Sequence, residues 1–301
     1  MKRKVLIVVG PTASGKSSLG VDLARIFGGE VISADSRQVY KGLDIGTGKI
    51  TKKEMKGVKH HMLDIASPKR NFSAGDFAKK AFKAHSNILQ NVRMSIIVGG
   101  TGFYIDAFTG RIQMPEVEPD PVLRKKLGSK TTAQLYSLLT KLDPKRAQTM
   151  DTPSERNNRV RLIRAIEIAK SPKMKKMSEF VTRPYDYLWI GLRPKDEDLK
   201  KRINRRLKER INGGMITEAK RLHASGLSYK RMEELGLEYR SLARHLKGLI
   251  SKDEMERELQ SDIWRYARKQ IGYWKRNKDI AWFEPNEKGK IQKLIRAWLK
   301  K

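Results

Sequence analysis

The chain has 301 residues, of which 65 are Lys or Arg and 33 are Asp or Glu, so its formal net charge is +32. A charge of this size predicts a polyanionic partner with a phosphate backbone and strongly salt-dependent binding. The absence of cysteine excludes a disulfide scaffold and any cysteine-based metal site.

The first predicted element is the apolar run Val5–Val9, which is typical of a buried strand. Too few apolar residues precede the next motif for a secretory signal or a transmembrane span, so we expect a cytoplasmic protein that makes no membrane contact. The pattern G-x4-G-K-[ST] of a phosphate-binding P-loop follows at once, in Gly10, Pro11, Thr12, Ala13, Ser14, Gly15, Lys16 and Ser17.

The P-loop predicts a ligand that carries at least two linked phosphates. Gly10 and Gly15 let backbone N–H groups converge on one anion at the start of a helix. Lys16 adds a positive charge, and the Ser17 hydroxyl is suited to Mg²⁺. The loop does not indicate which group is transferred.

Strand-like and helical segments alternate through the first third of the chain. Strands are predicted at Val31–Ala34 and Ser95–Val98, and a capping box at Ser73 predicts a helix that ends near Val92. This alternation predicts a parallel sheet with crossover helices. Because ligands collect at the carboxyl ends of parallel strands, we expect Asp35 and Thr101 to share a crevice with the P-loop.

The pattern changes near Met114, where several prolines precede segments of helical period. Tyr185–Leu192 then returns to a strand pattern, and long basic helices are predicted from about Asp196. We therefore expect an α/β fold with a P-loop NTPase-like parallel sheet, a helical insertion and basic C-terminal helices. The expected divisions are the first part of the core at 1–113, the insertion at 114–184, and the return to the core with the basic helices at 185–301.

The segment Trp264–Lys278 combines six Lys or Arg residues and several aromatic residues with no acidic residue. Arginines interleaved with aromatic rings suit RNA, whose loops offer unstacked bases as well as phosphates. The alternative is an ordinary amphipathic helix with aromatic residues in the core and solvated lysines. The segment alone does not distinguish the two.

Further ordered motifs run through the chain: Ile32–Tyr40, Asp44–Thr47, His60–Asp64, Val98–Tyr104, Arg161–Glu167, Arg202–Arg206, Gly236–Arg240 and Tyr266–Gln270. Together with the P-loop, they resemble the tRNA dimethylallyltransferases, also called tRNA isopentenyltransferases. The resemblance implies transfer of a dimethylallyl group from dimethylallyl diphosphate to N6 of adenosine 37, beside the anticodon of tRNA, with release of diphosphate.

The resemblance also implies roles for individual residues. Asp35 is expected to accept the proton of the adenine amine, and Thr101 to hydrogen-bond Asp35 or the amine. Lys16, an arginine and Mg²⁺ bound to Ser17 are expected to stabilise the leaving diphosphate. Arg205 is our choice of arginine, although the motif does not separate it from its neighbours Arg202 and Arg206.

By the same resemblance, one set of residues is expected to contact the anticodon stem-loop of the tRNA, and the insertion is expected to contribute to it. The protein is expected to act as a monomer. The predicted RNA-contacting residues are Asp35, Ser36, Arg37, Gln38, Thr101, Arg124, Val160, Arg161, Leu162, Ile163, Arg164, Tyr239, Arg240, Arg268, Lys269 and Lys275.

Other interpretations of the residues remain open. The chief alternative is an ATP-dependent P-loop kinase acting on a nucleotide or nucleic acid, although Gly-Gly-Thr follows the strand Ser95–Val98 where an acidic metal ligand is expected. A non-catalytic RNA-binding switch leaves Asp35 and Thr101 without a role, and a relative acting on free AMP does not explain the charge. The structural alternatives are that Asp35 caps the following turn and that Thr101 caps the following helix.

Overall fold

The structure is a computed structural model that describes residues 3–112, 115, 117–171 and 185–301. The chain divides into two compact units. One comprises Met1–Arg111 together with Arg183–Lys301, and the other comprises Ile112–Thr182. The second unit corresponds to the insertion, which the sequence predicts at 114–184.

The first unit is built on one six-stranded sheet in which every strand pair is parallel. The spatial order is β3-β2-β4-β1-β5-β6. This topology confirms the predicted α/β fold with a parallel sheet. The strands are β1 (Arg3–Val9), β2 (Gly29–Ala34), β3 (His60–His61), β4 (Met94–Gly99), β5 (Tyr185–Leu192) and β6 (Ile280–Phe283).

Helices connect these strands and cover the sheet. They are α1 (Lys16–Phe27), α2 (Lys52–Met55), α3 (Ala74–Gln90) and α4 (Gly102–Thr109) in the first part of the unit, and α10 (Asp196–Asn212), α11 (Met215–Ala224), α12 (Tyr229–Leu235), α13 (Leu237–Leu246), α14 (Lys252–Lys275) and α15 (Lys288–Lys300) in the last part. The capping box predicted at Ser73 is present, and it begins α3.

Strand β1 is apolar throughout most of its length because both faces of the sheet are covered. Leu6 and Val8 of β1 pack in a core cluster with apolar side chains of α1 and α15. On the opposite face, Trp189 of β5 lies beside Trp274 of α14, with ring centroids 6.1 Å apart. Packing on both faces holds the sheet in place, and it therefore also holds the loops at the carboxyl ends of the strands.

In the described part of the second unit, five short helices surround a separate apolar cluster. Leu135 and Leu139 are fully buried there, in keeping with the helical period predicted for this segment, whereas Leu142 is 38 % exposed. The helices are α5 (Pro121–Leu127), α6 (Thr132–Leu142), α7 (Pro144–Thr149), α8 (Pro153–Arg156) and α9 (Arg159–Lys170).

Among the residues that the structure describes, no helix combines the length and the apolar character needed to cross a lipid bilayer. The longest helix, α14, has 24 residues and carries charged side chains along much of its length.

Candidate functional site

A cavity lies at the carboxyl ends of β1, β2 and β4 and brings together several predicted site residues. The P-loop contributes Thr12, Ala13, Lys16 and Ser17, and the segment after β2 contributes Asp35, Ser36, Arg37 and Gln38. The remaining lining residues are Ser33, Thr47, Gly48, Val98, Gly99, Ile203, Arg206, Arg210, Leu237, Glu238, Ile263, Tyr266 and Gln270. Asp35 therefore shares a crevice with the P-loop, as its place at the carboxyl end of a strand predicted, whereas Thr101 is not among the residues that line this cavity.

The P-loop has the backbone geometry of an anion cradle. Gly10 has φ +154°, and a Cβ at this position would lie 2.7 Å from the Leu192 carbonyl oxygen. Gly15 has φ +94° and precedes the first residue of α1, so free N–H groups of the first helical turn are directed toward the loop. Lys16 Nζ donates a 3.1 Å hydrogen bond to the Pro11 carbonyl oxygen, which folds its side chain back across the loop.

Burial destabilises the positive charge on Lys16. Burial lowers the pKa of Lys16 from 10.5 to about 8, opposed by the negative charge of Asp35 and assisted by the positive charge of Arg206. An ammonium group held in such surroundings gains more from a bound anion than a fully hydrated one would. The electrostatics of the loop therefore favour a negatively charged ligand.

Asp35 is held by the turn that follows it. Its Oδ1 accepts hydrogen bonds from Arg37 N–H (2.8 Å) and Gln38 N–H (3.3 Å). The structural alternative, a cap on the following turn, is thus correct for one carboxylate oxygen. In the part of the chain described, no hydrogen bond reaches Oδ2, which leaves that oxygen available for other chemistry.

Thr101 supports the Asp35 turn indirectly. Its Oγ1 accepts a 3.0 Å hydrogen bond from Ser36 N–H, and the Thr101 N–H donates to the Ala34 carbonyl oxygen at 3.2 Å. Within the described ranges, no hydrogen bond joins Thr101 to Asp35. Thr101 occupies the N-cap position of α4 without a side-chain capping bond, so the alternative role of a helix cap is not supported.

The arginines of α10 differ sharply in placement. Arg206 lines the cavity, whereas Arg205 is 72 % exposed, lies 3.7 Å from Glu209, and does not contribute to the cavity wall. A Cβ at Gly15 would lie 3.9 Å from Arg202 Nη1, so Arg202 also approaches the P-loop. The structure corrects our choice of Arg205, because one residue along a helix turns a side chain by about 100°.

Arg206 and Arg210 form a positively charged wall of the cavity. Burial, followed by the proximity of Arg210, lowers the pKa of Arg206. Arg210 is neutralised by Glu238 at 2.9 Å and also donates to the Gly46 carbonyl oxygen at 2.7 Å. Arg206 is thus the less neutralised of the two guanidinium groups, and it faces the same cavity as Lys16.

A buried carboxylate shapes the loop that brings Thr47 to the cavity. Glu218, only 3 % exposed, accepts hydrogen bonds from the N–H groups of three consecutive residues, Asp44 (3.0 Å), Ile45 (2.7 Å) and Gly46 (2.9 Å). The Tyr239 hydroxyl donates a fourth at 2.7 Å. Sequence reasoning missed this arrangement, because the partners lie far apart in the chain.

Several contributors to the cavity were not predicted. Tyr266 and Gln270 belong to the aromatic, basic segment, but we assigned no cavity role to either. Arg206 and Arg210 could have been found from their spacing, which they share with Arg202. The three arginines are spaced four residues apart and flank the buried stripe Leu199, Ile203 and Leu207, which places them on one face of α10.

Two predicted RNA contacts are corrected by burial. Leu162 belongs to the apolar cluster of the second unit and is 0 % exposed, and Tyr239 is 1 % exposed. Their side chains therefore lack the surface needed to touch a large ligand. Ile163 packs against the same cluster as Leu162, whereas Val160 is 78 % exposed.

The arginines of the second unit that were predicted to contact RNA form ion pairs with glutamates. Arg124 donates to both oxygens of buried Glu167, at 2.6 and 2.9 Å, and Arg164 donates to Glu167 at 3.1 Å. Arg161 pairs with Glu155 at 2.7 Å and remains largely exposed. In the first unit, the four remaining predicted basic residues are exposed: Arg240, Arg268, Lys269 and Lys275.

The residues around Ser17 suit a metal ion that arrives with a phosphate ligand. Ser17 is exposed and lines the cavity beside Lys16. Within the described residues, no group of three or more His, Cys, Asp or Glu side chains is placed to hold a metal. One hydroxyl together with phosphate oxygens and water is a donor set that Mg²⁺ accepts.

Comparison with known proteins gives a consistent result. A family model described as IPP transferase matches residues 38–278. The chain is 39 % identical to tRNA dimethylallyltransferase 2 of Citrifermentans bemidjiense, over 96 % of this chain and 94 % of that protein. The crystal structure of the full-length tRNA isopentenylpyrophosphate transferase from Bacillus halodurans has a TM-score of 0.74 at 34 % identity, covering 99 % of this chain and 97 % of that one. A eukaryotic dimethylallyltransferase crystallised while acting on tRNA shares the fold, with a TM-score of 0.78 at 24 % identity over 94 % of this chain and 74 % of that one.

Proposed function

The chain belongs to the IPP transferase family, and we propose that it is a tRNA dimethylallyltransferase. In this reaction a dimethylallyl group moves from dimethylallyl diphosphate to N6 of adenosine 37 in tRNA, and diphosphate is released. The observation that carries the proposal is the cavity in which the P-loop lysine, Lys16, and the carboxylate of Asp35 face the same space. Transfer of a carbon group from a diphosphate to an amine needs an anion cradle and a proton acceptor that share one cavity.

The P-loop side of the cavity would hold the diphosphate. As the carbon–oxygen bond breaks, negative charge grows on the departing oxygen, and preorganised donors stabilise that charge most in the transition state. Lys16 and the N–H groups at the start of α1 are such donors. We assign the supporting arginine to Arg206, with Arg202 beside Gly15 as a second contributor.

Asp35 would act as the base. The exocyclic amine of adenine is a weak nucleophile because its lone pair is delocalised into the ring, so it must lose a proton as the new N–C bond forms. Oδ1 of Asp35 is held by two backbone N–H groups, which leaves Oδ2 to accept that proton. Thr101 would keep the turn in place through Ser36 N–H.

The RNA must present its target base out of the stack. Extruding a base from a single-stranded loop costs only a few kcal/mol, and the gain from phosphate contacts offsets it. Ser36, Arg37 and Gln38 line the cavity next to Asp35 and would contact the extruded adenine. We propose that the exposed Arg240, Arg268, Lys269 and Lys275 contact the phosphate backbone. For the second unit we propose only that tRNA is contacted by Arg124, Val160, Arg161, Ile163 and Arg164.

We propose that Mg²⁺ accompanies the diphosphate and that the Ser17 hydroxyl is its protein ligand. When bound, the ion would neutralise charge on the diphosphate oxygens. The protein is proposed to act as a monomer in the cytoplasm. The proposed diphosphate cradle and the proposed base both come from one chain, which supports a monomer.

The test is incubation of the purified protein with Mg²⁺, dimethylallyl diphosphate and an unmodified anticodon stem-loop carrying adenosines 36 to 38. Mass spectrometry of the nucleosides should then show N6-dimethylallyladenosine. A matched RNA with guanosine at position 37 should yield none. Transfer of label from γ-labelled ATP to the RNA, without prenylated product, would overturn the proposal in favour of a kinase.

A further inference from the structure

Helix α14 presents one face to the cavity. Ile263, Tyr266 and Gln270 line it, at the spacing of three and four residues that places side chains on one side of a helix. Gln270 is only 6 % exposed, although it carries a polar amide. A buried amide is retained only where both its donor and its acceptor are satisfied.

The Gln270 side chain bridges two separate loops of the cavity. Its Oε1 accepts a 2.8 Å hydrogen bond from the Thr12 N–H of the P-loop. Its Nε2 donates a 3.0 Å hydrogen bond to the Gly100 carbonyl oxygen, immediately after β4. One N–H and one C=O partner fix the orientation of the amide, because only the oxygen accepts and only the nitrogen donates.

The loop after β4 is shaped to admit this side chain. A Cβ at Gly100 would lie 2.2 Å from Gln270 Nε2, a distance that real atoms do not reach. Any other residue at position 100 would therefore displace the amide from its partner. The glycine therefore allows the Gln270 amide to approach the backbone closely.

Each end of the bridge continues into a reactive part of the site. Thr12 lies in the loop that carries Lys16, whose ammonium group faces the cavity. Gly100 precedes Thr101, whose Oγ1 accepts from Ser36 N–H at 3.0 Å, next to Asp35. The bridge thus joins the cradle proposed for the diphosphate to the turn that holds the proposed base.

We propose that Gln270 is a positioning residue that sets the separation between the P-loop and the Asp35 turn, an inference that rests on the proposed function. It need not touch either substrate. Its loss would remove one link between the two loops, which would then depend more on the pairing of β1 with β4. A misplacement of about 1 Å between reacting groups costs roughly 10²-fold in rate. Binding of each substrate to its own loop would be retained.

The experiment compares Gln270→Met with the parent and with Gln260→Met, a control on the same helix whose amide donates to Glu256 at 3.3 Å. We expect the single-turnover rate of prenyl transfer to fall about 10²-fold in Gln270→Met. Affinities for inorganic pyrophosphate and for the anticodon stem-loop should stay close to those of the parent, and Gln260→Met should match the parent. An unchanged rate, or a fall in pyrophosphate affinity as large as the fall in rate, would overturn the inference.

A second variant, Gln270→Glu, keeps the inference testable if Gln270→Met fails to fold. The ionised carboxylate has no proton to donate to Gly100, but the protonated form offers one donor and one acceptor, as the amide does. The transfer rate of Gln270→Glu relative to the parent should therefore rise as pH falls from about 8 to about 5.5. A ratio that is flat with pH would overturn the positioning role. A parent protein inactive with dimethylallyl diphosphate would instead overturn the proposed function itself, and this inference with it.

Discussion

The Tyr239 hydroxyl donates a 2.7 Å hydrogen bond to Glu218, whose two carboxylate oxygens also accept three consecutive backbone N–H groups from Asp44 to Gly46. Four donors therefore converge on one buried carboxylate. Gly46 is packed so closely that a Cβ there would lie 2.7 Å from the Tyr239 oxygen. This arrangement fixes the loop that brings Thr47 and Gly48 to the cavity.

Replacing Glu218 with glutamine should destabilise the fold. The amide nitrogen would face N–H donors instead of accepting from them, and a buried group left unsatisfied costs about 1–3 kcal/mol. Urea unfolding should show a decrease of this size in the free energy of unfolding. Glu209→Gln, at an exposed position on α10, should change the free energy of unfolding by no more than about 0.5 kcal/mol. Equal stability of the two variants would show that the Glu218 carboxylate is not required.

Asp35→Asn should separate chemistry from structure. The asparagine Oδ1 can still accept from Arg37 and Gln38, so the turn should survive, whereas the loss of basicity should lower the single-turnover rate about 10²-fold or more. RNA affinity should remain close to that of the parent. Asp35→Ala, which also removes the hydrogen bonds of the turn, serves as the comparison. A parental rate in Asp35→Asn would remove Asp35 from the mechanism.

The adjacent pair Arg206 and Arg205 offers a matched test of the diphosphate arginine. Arg206→Met should weaken binding of inorganic pyrophosphate about 10- to 100-fold, because it removes one charge-assisted hydrogen bond of about 1.5–3 kcal/mol. Arg205→Met removes the same charge from an exposed position, so its affinity should stay close to that of the parent. Isothermal titration calorimetry measures both. The opposite order of effects would restore Arg205 as the diphosphate arginine.

Binding of pyrophosphate should depend on pH through Lys16. The Lys16 ammonium is charged below its pKa of about 8 and neutral above it, so anion affinity should fall as pH rises through this value. Well above this pKa, the affinity for pyrophosphate should fall about tenfold per pH unit, since a bound anion favours the charged form of Lys16. Lys16→Met, measured over the same range, accounts for ionisation of the ligand. Identical pH dependence in the two proteins would contradict this role for Lys16.

The exposed end of α14 should act through phosphate contacts. Lys275→Gln should reduce the slope of log affinity for tRNA against log salt by about one unit if its ammonium pairs with one phosphate. Lys293→Gln on α15, an exposed lysine outside the predicted RNA surface, is the control. Filter binding across a salt series gives both slopes. Equal slopes in Lys275→Gln and the parent would exclude this helix end from the RNA surface.

Local patterns allowed much of the fold to be predicted. The P-loop, the capping box at Ser73 and the strand Tyr185–Leu192 each depend on residues close together in sequence, and each is present in the structure. The parallel sheet was predicted from the alternation of strand-like and helical segments. The edge strand β6 was not predicted, because four residues beside a basic helix give little periodic signal.

The site was harder to predict because its contacts span the chain. Gln270 bonds to Gly100 across 170 positions, and Glu218 to Gly46 across 172. No sequence spacing encodes such pairs. The placement of Arg206 on the cavity wall is different, because the four-residue spacing of Arg202 and Arg206 beside a buried apolar stripe already indicated that they share one face of α10.

The cavity is bounded at one side by the loop that follows the first strand and at the other by α14, which ends at Lys275. During synthesis the ribosome releases the P-loop first and Gln270 much later. The nascent protein can therefore form most of its sheet before it has a finished reaction chamber. Under the proposed function, we expect RNA modification only once translation has passed α14, although the P-loop is synthesised far earlier.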